Sequence, residues 1–425
     1  MPDLDPLIAR LRSLSDLPPT PAYLYDAAGL TVRIALLQQH LGTLFQPSFA
    51  IKSNPNLALL RRIAAEVPHL DASSFHEVER ALSIGVAPER ISWSGPGKRG
   101  RELAALAGRG ITIVVEAEDE IDALSAIAAG LPEPQRVALR INPDHVPRGF
   151  GASMSGKPSQ FGIDEPRAAQ AIDRIESAPG LHLAGFHAYT GSNCLAAEPI
   201  AENFANLTRI FIESARHLGR PVDTLIFGAG FGLPYHPGQQ ALDIAEVARL
   251  ATEALAPLAV EPLTAGAERL LEIGRWITGP NGALVTGVLS VKDSRGARIA
   301  VCDAGFNNHL AAAGMMGAVF QKNYPFAPIR CAAGHDAAPV EHQIAGPLCT
   351  SIDMLARKLD LPPLSRGDVV AVLMSGAYGL TASPTRFISH AEPAEYLIDA
   401  DGALTDISES RLNRPGSLLP DLAAV

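Results

Sequence analysis

The chain has 425 residues, 47% hydrophobic and only 19% charged, so it can bury a large core and is expected to fold as two domains rather than stay disordered. A formal net charge of −10 and the lack of any Lys/Arg run remove the electrostatic basis for binding nucleic acid. Cys194, Cys302, Cys331 and Cys349 have no CxxC spacing, which argues against a disulfide framework and a metal site and fits a reducing cytoplasm. With no apolar leader and no window of about 18 apolar residues, neither a targeting segment nor a membrane span is expected.

Taken in chain order, the strand-like PAYLYD at 21–26 comes first and is able to pair with a distant part of the chain. From about Leu30 to Gly274, short apolar runs alternate with amphipathic stretches, the pattern of repeated βα units. The strand candidates are SFAI, LDAS, ISWSG, ITIVVE, VALRIN, LAGFHAY, TLIFGAG and RLLEIG, with helical stretches such as NLALLRRIAAEV, FHEVERALSIG, DEIDALSAIAAG and PRAAQAIDRIES between them. Eight such units over about 250 residues predict an α/β fold, a closed (β/α)8 TIM barrel. Beyond Trp276 the texture turns β-rich, with GALVTGVLSVKDS, ARIAVCDAGF, EHQIAGPLC, DVVAVLMSGAYG and AEYLIDADG, interrupted by AAAGMMGA at 311–318. The expected division is a barrel over 28–275 and a C-terminal all-β domain over 276–425, with 1–27 contributing a strand to the latter.

Catalytic groups of a barrel gather where the strands end, because the βα loops converge there. FAIKSNPN places Lys52 directly after an apolar run. A lysine there is partly withdrawn from water and is a usable amine nucleophile toward an aldehyde, although a lone lysine is more often a snorkelling surface residue. FGAGFG at 227–232 supplies glycines whose N–H groups can approach a phosphate, and LEIGRW ends a strand with Glu272 and Arg275. Each alone also reads as an ordinary turn or a surface ion pair.

Taken together and in order, FAIKSNPN, DASSFHE, GPGK, HAYTGSN, FGAGFG, EIGR, GPLCTSID and SGAYGLTASP resemble the alanine-racemase-like group of pyridoxal-5′-phosphate (PLP) enzymes, and within it the diaminopimelate and ornithine decarboxylase branch. The resemblance covers nearly the whole chain. It implies that Lys52 carries PLP as a Schiff base, that Glu272 lies beside the pyridine nitrogen, and that Ser192, Gly230, Gly274, Arg275 and Tyr378 bind the phosphate. Glu272 stands where racemases place an arginine, which points toward decarboxylation. The resemblance further implies a homodimer with shared active sites, in which Cys349 reaches across to protonate the product carbanion. Substrate contacts would fall to Arg275, Thr350, Asp353 and Tyr378.

Several positions depart from the family pattern. The histidine usually found three residues before the phosphate-binding serine is Tyr189, with His187 two residues earlier on the same side of a strand. Tyr189 is expected to stack on the cofactor with His187 nearby. The usual SKFG reads Ser159-Gln160-Phe161-Gly162, so the lysine that pairs with the partner's aspartate is lost. Where diaminopimelate decarboxylases place an arginine, a tyrosine and a glutamate around the distal end of the substrate, this chain has Ala311, Met315 and Thr350. Each missing charge-assisted contact is worth on the order of 1.5–3 kcal/mol. These departures, with NNHLAAAG and KNYP, resemble the exosortase-associated and glutamyl-acyl-carrier-protein decarboxylase branch. The expected substrate is therefore an amino acid or a derivative of one, free or on an acyl carrier protein. Diaminopimelate decarboxylation, racemisation and a non-catalytic, partner-binding homologue are the alternatives.

Overall fold

The computed structural model describes residues 4–316 and 322–409. The described residues divide into two compact units, one comprising 4–33, Leu233–Ala241 and those within 275–409, the other Ile34–Gly232 and Leu242–Gly274.

The second of these is the barrel. Its strands are β1 (Gln46–Ala50), β2 (His69–Ala72), β3 (Ile91–Trp93), β4 (Thr112–Val115), β5 (Gln135–Asn142), β6 (Leu181–Ala188), β7 (Thr224–Gly228) and β8 (Glu268–Ile273). Each pairs in parallel with its sequence neighbours, and the pairing of β8 with β1 closes the ring. All eight strands coincide with the expected apolar runs, so the TIM barrel read from the sequence is the observed fold. The helices between them start where local chemistry stops a strand: Asn56 and Ser74 use their side chains to cap the amides that open Leu57–Glu66 and Phe75–Ser83.

Within the barrel, Val114, Ala138, Ile226 and Leu270 form one buried apolar cluster contributed by four strands. Residues two further along a strand share its face. The layer nearer the strand C-termini is therefore Glu116, Arg140, Gly228 and Glu272. The alternation that fills the core with apolar side chains thus delivers charged ones to the barrel mouth.

The other unit is a mixed sheet. Among the described residues its order runs Met354–Leu361, Val340–Ala345, Ala297–Cys302, Gly282–Ser294, Ala22–Asp26, Ala394–Ile398 and Leu404–Asp406, with Val369–Val372 pairing both Gly282–Ser294 and Phe326–Arg330. Ala22–Asp26 is antiparallel to Gly282–Ser294 and parallel to Ala394–Ile398, and every residue of it is buried. Three strands here have no counterpart among the expected runs. Met354–Leu361 (MLARKLDL) carries helix-favouring residues, Phe326–Arg330 contains Pro328 and pairs with a single strand, and Leu404–Asp406 is three residues long. Part of AAAGMMGA, residues 317–318, lies outside the described residues.

Candidate active site

Lys52 follows β1 in a short 3-10 turn, Ile51–Ser53. Its Nζ donates to Ser73 Oγ at 3.2 Å, lies 3.6 Å from Asp71 Oδ2, and sits 5.6 Å from the centroid of the Tyr189 ring. Ser94 donates to the other Asp71 oxygen at 3.0 Å. Burial raises the Asp71 carboxyl, Glu272 adds to the rise, and Lys52 and His187 oppose it, leaving it at about 6. Glu272 behaves oppositely. Burial pushes it up, but His187, Lys52 and Arg140 outweigh that and hold its carboxyl below the usual range. Two carboxylates close together in a poorly solvated space divide in this way because both cannot ionise cheaply.

Glu272 is 2% exposed, and its Oε1 accepts no hydrogen bond among the described residues. His187 Nε2 lies 3.1 Å away, within ion-pair distance but out of hydrogen-bond alignment. A buried carboxylate oxygen without a donor is costly unless a group arrives to use it. In the same layer, Arg140 clamps Glu116 with 3.0 Å contacts to both of its oxygens, and Glu116 also accepts from the Gly95 and Gly162 amides.

His187 is buried within β6, against Glu272, whereas Tyr189 lies past the strand end with its ring packed on Gly228. A Cβ at Gly228 would collide with that ring. Gly230 has φ +66, a backbone that favours glycine, and a Cβ there would strike Phe150. The loop holding Ser192 and the loop after β7 are laced together by Cys194 N–H to Gly230 O and Gly232 N–H to Cys194 O, at 2.9 and 2.7 Å. Gly274 packs on Ser53, immediately after the Lys52 position.

In the sheet unit, the half-buried Arg275 guanidinium lies 4.6 Å from the Tyr378 ring centroid and donates to Tyr235 Oη at 3.1 Å. No carboxylate pairs with it among the described residues, which is the condition of a cation able to take an anion. Tyr378 adopts φ +54, uncommon for a residue other than glycine. Cys349 is exposed on the GPLC turn and Thr350 half-buried beside it. Asp353, expected at the substrate, has both oxygens engaged by its own chain instead: Oδ1 accepts from Phe306 N–H and Oδ2 from Leu348 N–H, each at 2.8 Å. It is 3% exposed and ties the DAGF and GPLC segments together.

The structure therefore gathers Lys52, His187, Tyr189, Ser192, Gly230, Glu272 and Gly274 in the barrel unit, and Arg275, Cys349, Thr350, Asp353 and Tyr378 in the sheet unit. Asp71, Ser73, Ser94, Glu116 and Arg140 are site residues to which the sequence reading gave no role. A charged residue within an apolar strand, as in VALRIN and ITIVVE, was the available signal.

An amine, a ring face, a glycine-rich loop and an acceptor carboxylate at the mouth of a closed parallel barrel suit an aromatic aldehyde that carries a phosphate, and the comparisons identify the class as PLP-dependent carboxy-lyases. The model described as "Pyridoxal-dependent decarboxylase, pyridoxal binding domain" matches residues 28–279, and the chain belongs to that family. It is 31% identical to the L-glutamyl-acyl-carrier-protein decarboxylase of Niallia circulans, over 94% of this chain and 95% of the relative. It is 33% identical to the diaminopimelate decarboxylase of Methanothermobacter thermautotrophicus, over 83% and 80% of the two chains. The crystal structure of Helicobacter pylori diaminopimelate decarboxylase complexed with L-lysine superposes with a TM-score of 0.81 at 26% identity, covering 92% of this chain and 94% of that one. The family's cofactor is pyridoxal 5′-phosphate, and the orphan Glu272 oxygen and the loop whose glycines admit no Cβ fit such a group.

Proposed function

We propose that the protein decarboxylates an α-amino acid whose side chain is extended by an uncharged acyl group, free or held on an acyl carrier protein. The observation that carries the decarboxylase assignment to particular residues is the buried Glu272 carboxylate, ionised and short of one donor, in the layer beside Lys52. Bound PLP supplies an electron sink for the pair left behind as carbon dioxide departs. Glu272 holds a proton at the ring nitrogen, Lys52 is the attachment amine, and Tyr189 supports the ring face. Ser192, Gly230, Gly274, Arg275 and Tyr378 take the phosphate ester. Ser73 and Asp71 would hold the Lys52 ammonium whenever its nitrogen is free. Cys349 delivers a proton to the product carbon from the partner subunit of a cytoplasmic homodimer.

The substrate class rests on two supports, the loss of charge at Ala311, Met315 and Thr350 and the likeness to a decarboxylase of a carrier-linked glutamyl group. Purified protein supplied with PLP is expected to release carbon dioxide from γ-acyl-linked glutamyl substrates in preference to diaminopimelate, and borohydride should fix a pyridoxyl group on Lys52. Rescue of a lysine-requiring strain would instead identify diaminopimelate as the substrate. Exchange of the α-hydrogen without carbon dioxide release would identify a racemase. Light scattering checks the dimer.

A further inference from the structure

Beside the Lys52 site lies a cavity of about 230 Å³ formed between the start of the Phe75–Ser83 helix and the segment that follows β3. Ser73 belongs to both, since it accepts from Lys52 Nζ and also lines the cavity, whose other walls include Trp93, Ser94, Gly97 and Lys98. The volume is below the roughly 300–1,000 Å³ of pockets that enclose whole ligands, and suits a segment of one.

Lys98 and Glu102 in its wall are already engaged. Lys98 Nζ is 2.7 Å from Glu120 Oε1 and donates to Gly95 O at 2.7 Å, and Glu102 accepts from the Arg99 amide in a capping box. Besides Arg99, whose exposed guanidinium is 3.9 Å from Glu102, and His76, which is 2.7 Å from Glu79, what remains is neutral. Ser73 Oγ accepts from Lys52 and Ser74 Oγ accepts from the Glu77 amide, so each hydroxyl keeps its O–H to donate. Trp93, almost fully buried, backs the cavity. Hydroxyl donors beside the Arg99 guanidinium suit the carbonyl oxygen of an acyl extension, and leave a distal ammonium without a counter-charge.

We infer that this cavity binds the carbonyl-bearing distal chain of the substrate, an amide or thioester extension of the amino-acid side chain, and so selects for it. The inference rests on the decarboxylase reading above and adds where the extension goes. Gly97 is the position that tests it, because it lines the cavity, a Cβ there meets no atom within 4 Å and its φ is not positive, so Gly97→Phe adds a ring to the lining without straining the backbone. His76→Trp adds bulk at another lining residue. Gly130→Phe, equally open but away from the cavity, is the control.

With N5-propyl-L-glutamine as substrate, Gly97→Phe and His76→Trp are expected to raise KM at least about 10-fold with kcat within twofold, while Gly130→Phe matches the parent. The decarboxylated product, 4-amino-N-propylbutanamide, should quench the Trp93 fluorescence of the parent and not that of Gly97→Phe. Turnover by the parent together with unchanged KM and unchanged quenching in both cavity variants overturns this inference and leaves the decarboxylase reading intact. Failure of the parent to release carbon dioxide from any free or carrier-linked acyl amino acid overturns the substrate class, and this inference with it.

Discussion

Glu272 and Asp71 show how position decides the role of a carboxylate. Both are buried beside Lys52, yet Glu272 is held ionised by His187, Lys52 and Arg140, while burial and Glu272 itself keep Asp71 nearer to protonation. Glu272→Gln retains the shape but not the charge, and is expected to lower kcat about 10²–10³-fold while PLP still binds, as read from steady-state kinetics and the visible spectrum. Glu77 gives a stability prediction of definite sign. Burial lifts its carboxyl from the ordinary 4.5 to about 7, against the Ser73 amide that donates to it. The folded protein therefore holds a proton that the unfolded chain has lost between these values, so this group's contribution makes stability fall as pH rises from about 4.5 to about 7. Glu77→Gln should flatten that part of the profile of melting temperature against pH, and an identical slope in the variant would refute the assignment. Lys52 and Glu272 were legible in the sequence because each ends an apolar run, where barrel topology fixes a position. Ser73 and Ser94 were not, because what matters is their approach to Lys52 and Asp71 through space, which no spacing along the chain encodes.

Among the elements, β7 and the loop that follows it depend most on what they lack. Gly228 leaves room for the Tyr189 ring, and Gly230 turns the chain at φ +66. Gly228→Ala is expected to displace Tyr189 and weaken PLP binding about 10-fold or more, with little change in the far-ultraviolet dichroism of the barrel. Equilibrium dialysis against PLP measures the loss, and unaltered affinity would remove Tyr189 from the cofactor site. The eight barrel strands were legible because each is an apolar run bounded by turn residues. Met354–Leu361 was not, since Leu, Ala, Arg and Lys favour a helix locally and only its pairing with Val340–Ala345 makes it a strand. The resemblance to known decarboxylases added roles for the glycines and for Cys349 that composition and periodicity do not supply. Asp353 shows the limit of such transfer. Its carboxylate holds two loops of its own chain, a role that the family pattern does not supply.

Over the whole chain, the division into two units does not follow sequence order. Ala22–Asp26 is built into the middle of a sheet whose other strands all come after residue 281. Tyr23 and Leu24 are fully buried there. Deleting residues 1–26 is therefore expected to expose apolar surface of both neighbouring strands and make the C-terminal part readily cleaved by trypsin, while barrel fragments resist. Equal resistance of both parts would show that the sheet closes without its first strand. Among the described residues no helix is long and apolar enough to cross a membrane.

The place of that strand also sets the order in which the protein can be completed on the ribosome. At about 5–20 residues per second, the chain from Ala22 to its partner Ala394 takes on the order of 20–75 s to synthesise. All eight barrel strands emerge within that interval and pair with neighbours close in sequence, whereas the first strand waits for Gly282–Ser294 at one edge and for Ala394–Ile398 at the other. Chaperone dependence during synthesis should therefore fall on the sheet and its N-terminal strand rather than on the barrel that carries Lys52.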